Sequence, residues 1–301
     1  MTMIRPLIPS DRNQLDGYLR SHADTSLLML GNLERAGMQD RGKPYEGTYV
    51  GAFDGARLIG CLALFWNGNV LIQTDQAIAD LLQAAIGASG RPVGGVLGPL
   101  GQVEACLAAL RPHAGLPQSA AQQSLMALIV DEMKIPEPLS QGSIACRRAV
   151  AADLELVTQW RLAHLQEQRA AALPVLQAMA EEEMSERIES GALWLAIGGN
   201  KPVAMAGLLA LAAGRGLIGG VWTPHEHRGH GYGRSVVAGM LLALRWQGVA
   251  RAVLFTGRAN APALAAYRSL GFESIGPYGM AFYARQPSLG TTLGPTVGST
   301  R

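Results

Sequence analysis

Residues Thr223 to Arg234 read TPHEHRGHGYGR, which sets three of the chain's six histidines among two arginines and three glycines. Three chemistries suit such a run: metal ligation, contact with nucleic acid, or cradling of an anion. Glycines let successive backbone N–H groups converge without Cβ obstruction. A helix beginning just after them adds its unsatisfied N-terminal donors and the positive end of its dipole. Gly229, Gly231 and Gly233 therefore suit a pyrophosphate, with Arg228 and Arg234 adding charge at the rim. A metal at His225, His227 and His230 lacks a second cluster of Cys, His or acid to complete it, so no metal is expected. A dinucleotide fingerprint needs Gly-x-Gly-x-x-Gly near the start of a βαβ unit, and a P-loop needs Gly-Lys-Ser/Thr; neither pattern is present. A glycine-rich connection without a ligand stays open beside the cradle on these residues alone.

The elements around the loop can position it. LIGGVW, Leu217 to Trp222, is short and apolar, a strand that Pro224 ends because proline cannot donate to a ladder. Downstream, Val236, Val237, Met240, Leu241 and Leu244 recur at helical spacing, and Gly248 can close that helix. A further strand, Ala250 to Thr256, leads into a helix capped by Asn260, with Pro262 in its first turn and Gly271 at its end.

The chain also repeats itself. Arg5 stands six positions before Asp11, and Arg147 six before Asp153, each aspartate placed to cap a helix. A strand, tight turn and strand follow in both halves, from Gly47 (turn at Asp54-Gly55) and from Gly191 (turn at Gly199-Asn200). A duplicated α/β unit is expected, divided near the proline-rich Lys134 to Ser143 into residues 1–140 and 141–285, with 286–301 a tail or loosely docked extension.

Composition narrows the classes. Of 301 residues 49% are hydrophobic and 16% charged, with a net charge of +2, too weak to imply nucleic acid or a membrane surface as main partner. Cys61, Cys106 and Cys146 are scattered and odd in number, which suits free thiols in a reducing cytoplasm. No signal peptide is legible, and no apolar run reaches the ~20 residues of a membrane span. A soluble cytoplasmic protein is expected.

Two motifs in order carry a resemblance. Arg228, Gly231 and Gly233 match Arg/Gln-x-x-Gly-x-Gly/Ala, and Asn260, Ala263, Tyr267, Gly271 and Phe272 match Asn-x-x-Ala…Tyr-x-x-x-Gly-Phe. From Cys146 to Tyr283 the chain resembles the GNAT superfamily of N-acetyltransferases, and its loop is most similar to a tandem branch reading Tyr-Thr-Pro-Pro-Glu-x-Arg-Gly-x-Gly. The first half has no such loop after NVLIQT, which the resemblance explains as a degenerate copy that has lost cofactor binding.

The resemblance implies a tandem GNAT (acyl-CoA N-acyltransferase) α/β fold, with a mixed central sheet and flanking helices in each half. It implies acetyl-CoA as co-substrate in a gap between two splayed parallel strands. Val221, Trp222 and Thr223 would offer strand backbone to the pantetheine arm. Gly229, His230, Gly231, Tyr232, Gly233 and Arg234 would hold the pyrophosphate with Arg228 and Ser235, and Asn260 and Ala263 would lie beside the pantetheine. Tyr267 matches the general acid for the departing thiolate. A base is not legible: Gly219 and Gly220 stand where many relatives carry a glutamate, Glu226 is in the loop, and Glu167, Glu181, Glu182 and Glu183 border the cleft or line a solvated helix face. The expected activity is acetyl transfer to a primary amine of a small molecule, amino acid or peptide, with a homodimer admissible. A pseudoenzyme that senses acetyl-CoA and a tandem aminoacyl transferase using tRNA are the alternatives.

Overall fold

The computed structural model describes residues 2–168 and 172–283. They divide into two compact units, each a mixed α/β structure whose sheet is mostly antiparallel with helices packed on it. Unit 1 holds the residues up to Gln123 and those from Gly276 onward, and unit 2 holds Ser124–Ile275.

Unit 1 runs β1 (Met3–Pro6), α1 (Arg12–Ser21), α2 (Ala23–Ala36), β2 (Gly47–Asp54), β3 (Arg57–Phe65), β4 (Asn69–Gln73), α3 (Ile78–Ser89), β5 (Gly95–Pro99) and α4 (Leu100–Ala114). The strand β6 (Ser119–Ile129) follows and carries the chain into unit 2. Unit 2 continues with α5 (Glu137–Ser140), β7 (Ile144–Arg148), α6 (Leu154–Gln168), α7 (Leu173–Glu189), β8 (Leu193–Gly198), β9 (Lys201–Ala212), β10 (Arg215–Trp222), α8 (Tyr232–Arg245), β11 (Arg251–Gly257) and α9 (Ala261–Leu270). Last comes β12 (Glu273–Phe282), which opens in unit 2 and ends in unit 1. Strand order is β1-β2-β3-β4-β5-β12 in unit 1 and β6-β11-β10-β9-β8-β7 in unit 2.

The division differs from the expected one at residue 140. Lys134 to Ser143 is no free linker: the Lys134 N–H donates to the Leu270 carbonyl, Met133 is buried, and α5 forms there. The first half's last strand, β6, pairs into unit 2 beside β11, while Tyr278–Phe282 of β12 pair antiparallel with β5 in unit 1. Residues 286–301 lie outside the described residues.

The internal repeat is built in detail. Arg5 grips Asp11 through two bonds of 2.6 and 2.8 Å, and Arg147 grips Asp153 through two of the same lengths. In each case the aspartate also accepts an N–H, from Ile8 at 2.9 Å and from Val150 at 2.8 Å. The carboxylates thus close a 3-10 turn ahead of α1 and α6 and bind the first strand's arginine, where the sequence suggested helix caps. The β8–β9 turn is Gly199-Asn200, both at positive φ, whereas the β2–β3 turn is Gly55-Ala56, one position later than expected.

Each sheet buries a core. In unit 1, Val50, Leu62, Leu64, Val70 and Val96 meet Leu81, Leu82 and Ala85 of α3. In unit 2, Val236, Val237, Met240, Leu241 and Leu244 of α8 pack with Ile218, Leu254, Tyr267 and Phe272. Trp222, Met205 and Leu195 pack instead with Val157 of α6 and Met184 of α7.

Arg5 holds the Asp11 carboxyl down at about 2, with burial opposing and the Ile8 N–H assisting. A carboxyl depressed on folding stabilises above its unfolded pKa, near 4, and loses that contribution as pH falls through its folded value. Asp11→Asn should therefore lower the melting temperature at pH 6 and by progressively less between pH 4 and 2; a pH-independent gap would contradict the pairing.

Candidate functional site

The strands β10 and β11 pair in parallel only from Arg215–Ile218 against Arg251–Leu254. Beyond that point β10 stays on β9, with a register shift between Gly219 and Trp222, and Gly220 takes φ of +62°. Only glycine adopts that angle freely, and the bulge it allows twists β10 away from its neighbour. The result is that β10 and β11 part beyond Ile218 and Leu254, which opens a gap along Gly219–Trp222.

The chain then turns into α8 at the mouth of that gap. Gly229 and Gly231 have φ of +82° and +77°, and Gly231 is the N-cap, with no side chain closing the helix end. The first N–H groups of α8 therefore stay open, as an anion site requires. A Cβ at Gly231 would stand 2.9 Å from Arg234 Nε. That nitrogen is buried and makes no hydrogen bond among the described residues, an unspent cationic donor beside the open helix end. Gly233 lies against the strand end, where a Cβ would meet Thr223 Oγ1 at 3.3 Å.

Other loop residues hold the turn. Arg228 is no rim charge free for a ligand: its Nε donates to the Thr223 carbonyl at 3.0 Å and its Nη2 to Glu167 at 3.2 Å. Its guanidinium also lies 4.7 Å from the Trp222 ring centre. Glu167 of α6 binds His225 Nε2 at 2.7 Å as well, so one carboxylate anchors both ends of the 3-10 turn His225–His227. His230 Nδ1 donates to the Arg228 carbonyl at 2.9 Å while its ring stacks on Tyr232. Ser235 Oγ is spent on the Gly231 carbonyl at 3.1 Å and is buried, so it braces the cradle and does not face into it. The three loop imidazoles make separate contacts, and among the described residues no group of three or more His, Cys, Asp or Glu is disposed to hold a metal.

On the strand, Val221 packs toward α8, while the Trp222 ring is buried on the α6–α7 side, so only its backbone faces the gap. Asn260 caps α9 by accepting the Ala263 N–H at 3.2 Å, and Ala263 packs beside the α8 core. Tyr267 is nearly buried, edge-on to Phe272, and its hydroxyl makes no hydrogen bond among the described residues. Burial pushes its pKa up to about 12, so it keeps its proton at physiological pH.

Sequence reasoning missed a buried polar cluster behind the bulge. Glu183 of α7 accepts Arg161 Nε at 2.7 Å and Arg187 Nη2 at 2.6 Å, and Arg161 Nη1 donates to His164 Nδ1 at 3.1 Å. His164 stacks on Trp222 with ring centres 4.7 Å apart. Its pKa is pushed down to about 3 by burial and then by Arg161, so the imidazole is neutral. For Glu183, burial alone would raise the pKa, but the two guanidiniums outweigh it and the carboxyl sits below its ordinary range. Both its oxygens are occupied, which disqualifies it as a base. Glu181, Glu182 and Glu226 are exposed. The signal that could have found the cluster is glycine inside strands: a Cβ at Gly207 would run into Arg187 Nη1, and one at Gly220 would stand 3.1 Å from it.

Unit 1 shares part of this arrangement, since β4 and β5 pair in parallel only at Asn69–Leu71 against Gly95–Leu97 and α3 starts from its N-cap Ala77 with no side-chain cap, but it lacks the bulge and the glycine turn. Its β3–β4 register runs without a shift, and β4 leads to α3 through Thr74–Ala77 without a glycine. There the Gln102 side chain accepts the Thr74 N–H at 3.0 Å and donates to Asp75 at 3.2 Å.

Residues 157–272 match the family model described as Acetyltransferase (GNAT) family. No curated protein matches the sequence. Among solved structures, an acetyltransferase from the GNAT family of Colwellia psychrerythraea is 15% identical, with a TM-score of 0.53 over 94% of this chain and 100% of its own. A tandem GNAT protein from the clavulanic acid biosynthesis pathway is 15% identical, with a TM-score of 0.55 over 95% and 100%. A Drosophila protein gives a TM-score of 0.60 at 15% identity over 94% and 99%. At these identities the likeness is one of fold.

Gly207→Ala should displace the Arg187 guanidinium and leave Glu183 short of a partner, costing about 3–5 kcal/mol in denaturant unfolding. A loss below about 1 kcal/mol would show that the arginine does not depend on that space.

Proposed function

We propose that the GNAT acetyltransferase domain at residues 157–272 uses acetyl-CoA to acetylate a primary amine of a small molecule, amino acid or peptide, in a cytoplasmic setting. The observation that carries this reading is the coincidence of the bulge that parts β10 from β11 with a glycine turn at an uncapped helix end. The residues present suit the co-substrate: glycines at positive φ let backbone N–H groups converge on pyrophosphate, and Arg234 Nε supplies an unspent buried donor. Gly229 to Arg234 would hold the pyrophosphate, and the Val221–Thr223 backbone with Asn260 and Ala263 would border the pantetheine arm. When bound, acetyl-CoA supplies an activated acyl carbon that a neutral amine can take up with release of the thiol.

The chain's own part is to orient the acceptor, exclude water and provide a proton. Tyr267 Oη retains its proton throughout the physiological range, which suits a donor to a departing thiolate and rules it out as a base. Glu183 is tied to two arginines, and the His164 pKa is pushed down to about 3, too low for it to take up a proton, so the acceptor's ammonium proton leaves to solvent. On this reading unit 1 repeats the fold as a tandem copy without a cofactor site, since its β4–α3 turn has neither glycine nor bulge. That no carboxylate is free at the bulge among the described residues favours one second reading, an acetyl-CoA-binding protein without turnover.

Thiol release from acetyl-CoA over an amine panel separates the two: tight binding with no release from any amine would establish the binding protein. Tyr267→Phe should leave acetyl-CoA affinity nearly unchanged and lower the rate at saturation by about 10²–10⁴; parental turnover would assign Tyr267 to packing alone. Gly231→Val should weaken acetyl-CoA binding at least about tenfold in calorimetry, because both the φ and the approach to pyrophosphate are lost. Parental affinity in the folded variant would count against the cradle.

A further inference from the structure

The bulge in β10 is covered on its α7 side by one guanidinium. Gly207 of β9 and Gly220 of β10 leave the space that Arg187 occupies, and a side chain at either would crowd Nη1. Three positions far apart in sequence thus agree on placing an arginine flat against the sheet where β10 leaves β11.

That arginine is only partly used. Nη2 donates to Glu183, while Nη1 is buried and makes no hydrogen bond among the described residues, although Arg187 as a whole is only 8% exposed. Glu183 is shared with Arg161, and His164 accepts from Arg161 as a neutral imidazole. Two buried guanidiniums therefore share one buried carboxylate; Glu186 also attracts Arg187, yet Nη1 is left without a hydrogen-bond partner among the described residues. A charged donor left unpaired away from water is costly, and its persistence calls for a partner that arrives from outside the protein.

The position says which partner. The gap beyond Ile218 and Leu254 takes the acyl donor on the reading above, so an acceptor that reaches the acyl carbon must come to the bulge. We propose that the acceptor amine carries a carboxylate, as an α-amino acid does, and that Arg187 Nη1 receives it at the bulge beside Gly220. The guanidinium orients the amine from its carboxylate end, and Glu183 with Arg161 holds the guanidinium in place. Arg187 is thus a specificity-determining residue. The inference rests on the acetyl-transfer reading for the identity of the neighbouring site, while its test has a readout without turnover.

Binding of N-acetyl-leucine and of N-acetyl-leucinamide to the full chain saturated with CoA can be compared by ligand-observed NMR. Neither compound carries an ammonium, so the pair differs in the carboxylate alone. The acid should bind about ten- to hundredfold more tightly than the amide, as expected for a hydrogen bond to a charged group. That preference should fall to near unity in Arg187→Gln/Glu183→Gln, where no carboxylate is left buried without its partner. Leucine should likewise exceed leucinamide in kcat/KM for acetyl transfer, with the gap closing in the double variant. Equal binding of acid and amide, or no binding of either to the unaltered protein, overturns the proposal, and so does a preference that survives the double substitution. Carboxylate-selective binding with no turnover of any amine would uphold the inference and refute the transferase instead.

Discussion

The β10 strand leaves β11 after four paired positions, and the candidate site depends on that departure. Two parallel strands in register would satisfy each other's backbone groups and leave nothing for a ligand. The bulge at Gly219–Trp222 ends the pairing, and Gly220 at positive φ lets the strand turn while it remains on β9. The bulged end of β10, the glycine turn and the open end of α8 then follow one another along the chain. Elsewhere in unit 2 the structure serves to hold that geometry. Glu167 ties the loop to α6 through Arg228 and His225, and Ser235 braces the turn from inside the helix.

The same constraint accounts for the buried charges. A bulge of glycines is thin, and side chains of ordinary size on β9 or β10 would fill the space behind it. Arg187 fills it instead, held by a carboxylate that also binds Arg161. Burying such a set is expensive in desolvation, and its stabilising effect is small at best beside an apolar packing of the same volume. Its retention is better explained by what the positive charge does at the bulge. The neutral His164 stacked on Trp222 separates this cluster from the anchored loop.

Much of the site was legible because its signals are local. Pro224 ends the strand, the glycines mark the turn, the α8 and α9 periodicity is clear, and Asn260 caps as read. The Arg–Asp spacing of six, read as a helix cap, proved to be a clamp between strand and turn, identical in both units. What escaped depends on contacts distant in sequence. Glu183 and Arg187 are four apart on a helix, the ordinary spacing of a solvated surface pair, and only the packing of Gly207 and Gly220 shows that they are buried. Arg228 looked available until its three contacts were placed. The division between units was hidden for a similar reason: β6 and β12 pair with strands on the far side of the expected boundary, and no local pattern announces that.

The central claim is that one bulged, splayed strand pair makes the acyl-CoA site and that its counterpart in unit 1 does not. Amide hydrogen exchange on the full chain, with and without CoA, tests it at residue level. CoA should slow exchange at Gly219–Thr223, through the turn and first helical residues Gly229–Ser235, and at Phe255–Asn260, leaving Asn69–Ile78 and Gly95–Gln102 unchanged. Protection confined to those unit 1 segments, or equal in both sets, would contradict the account.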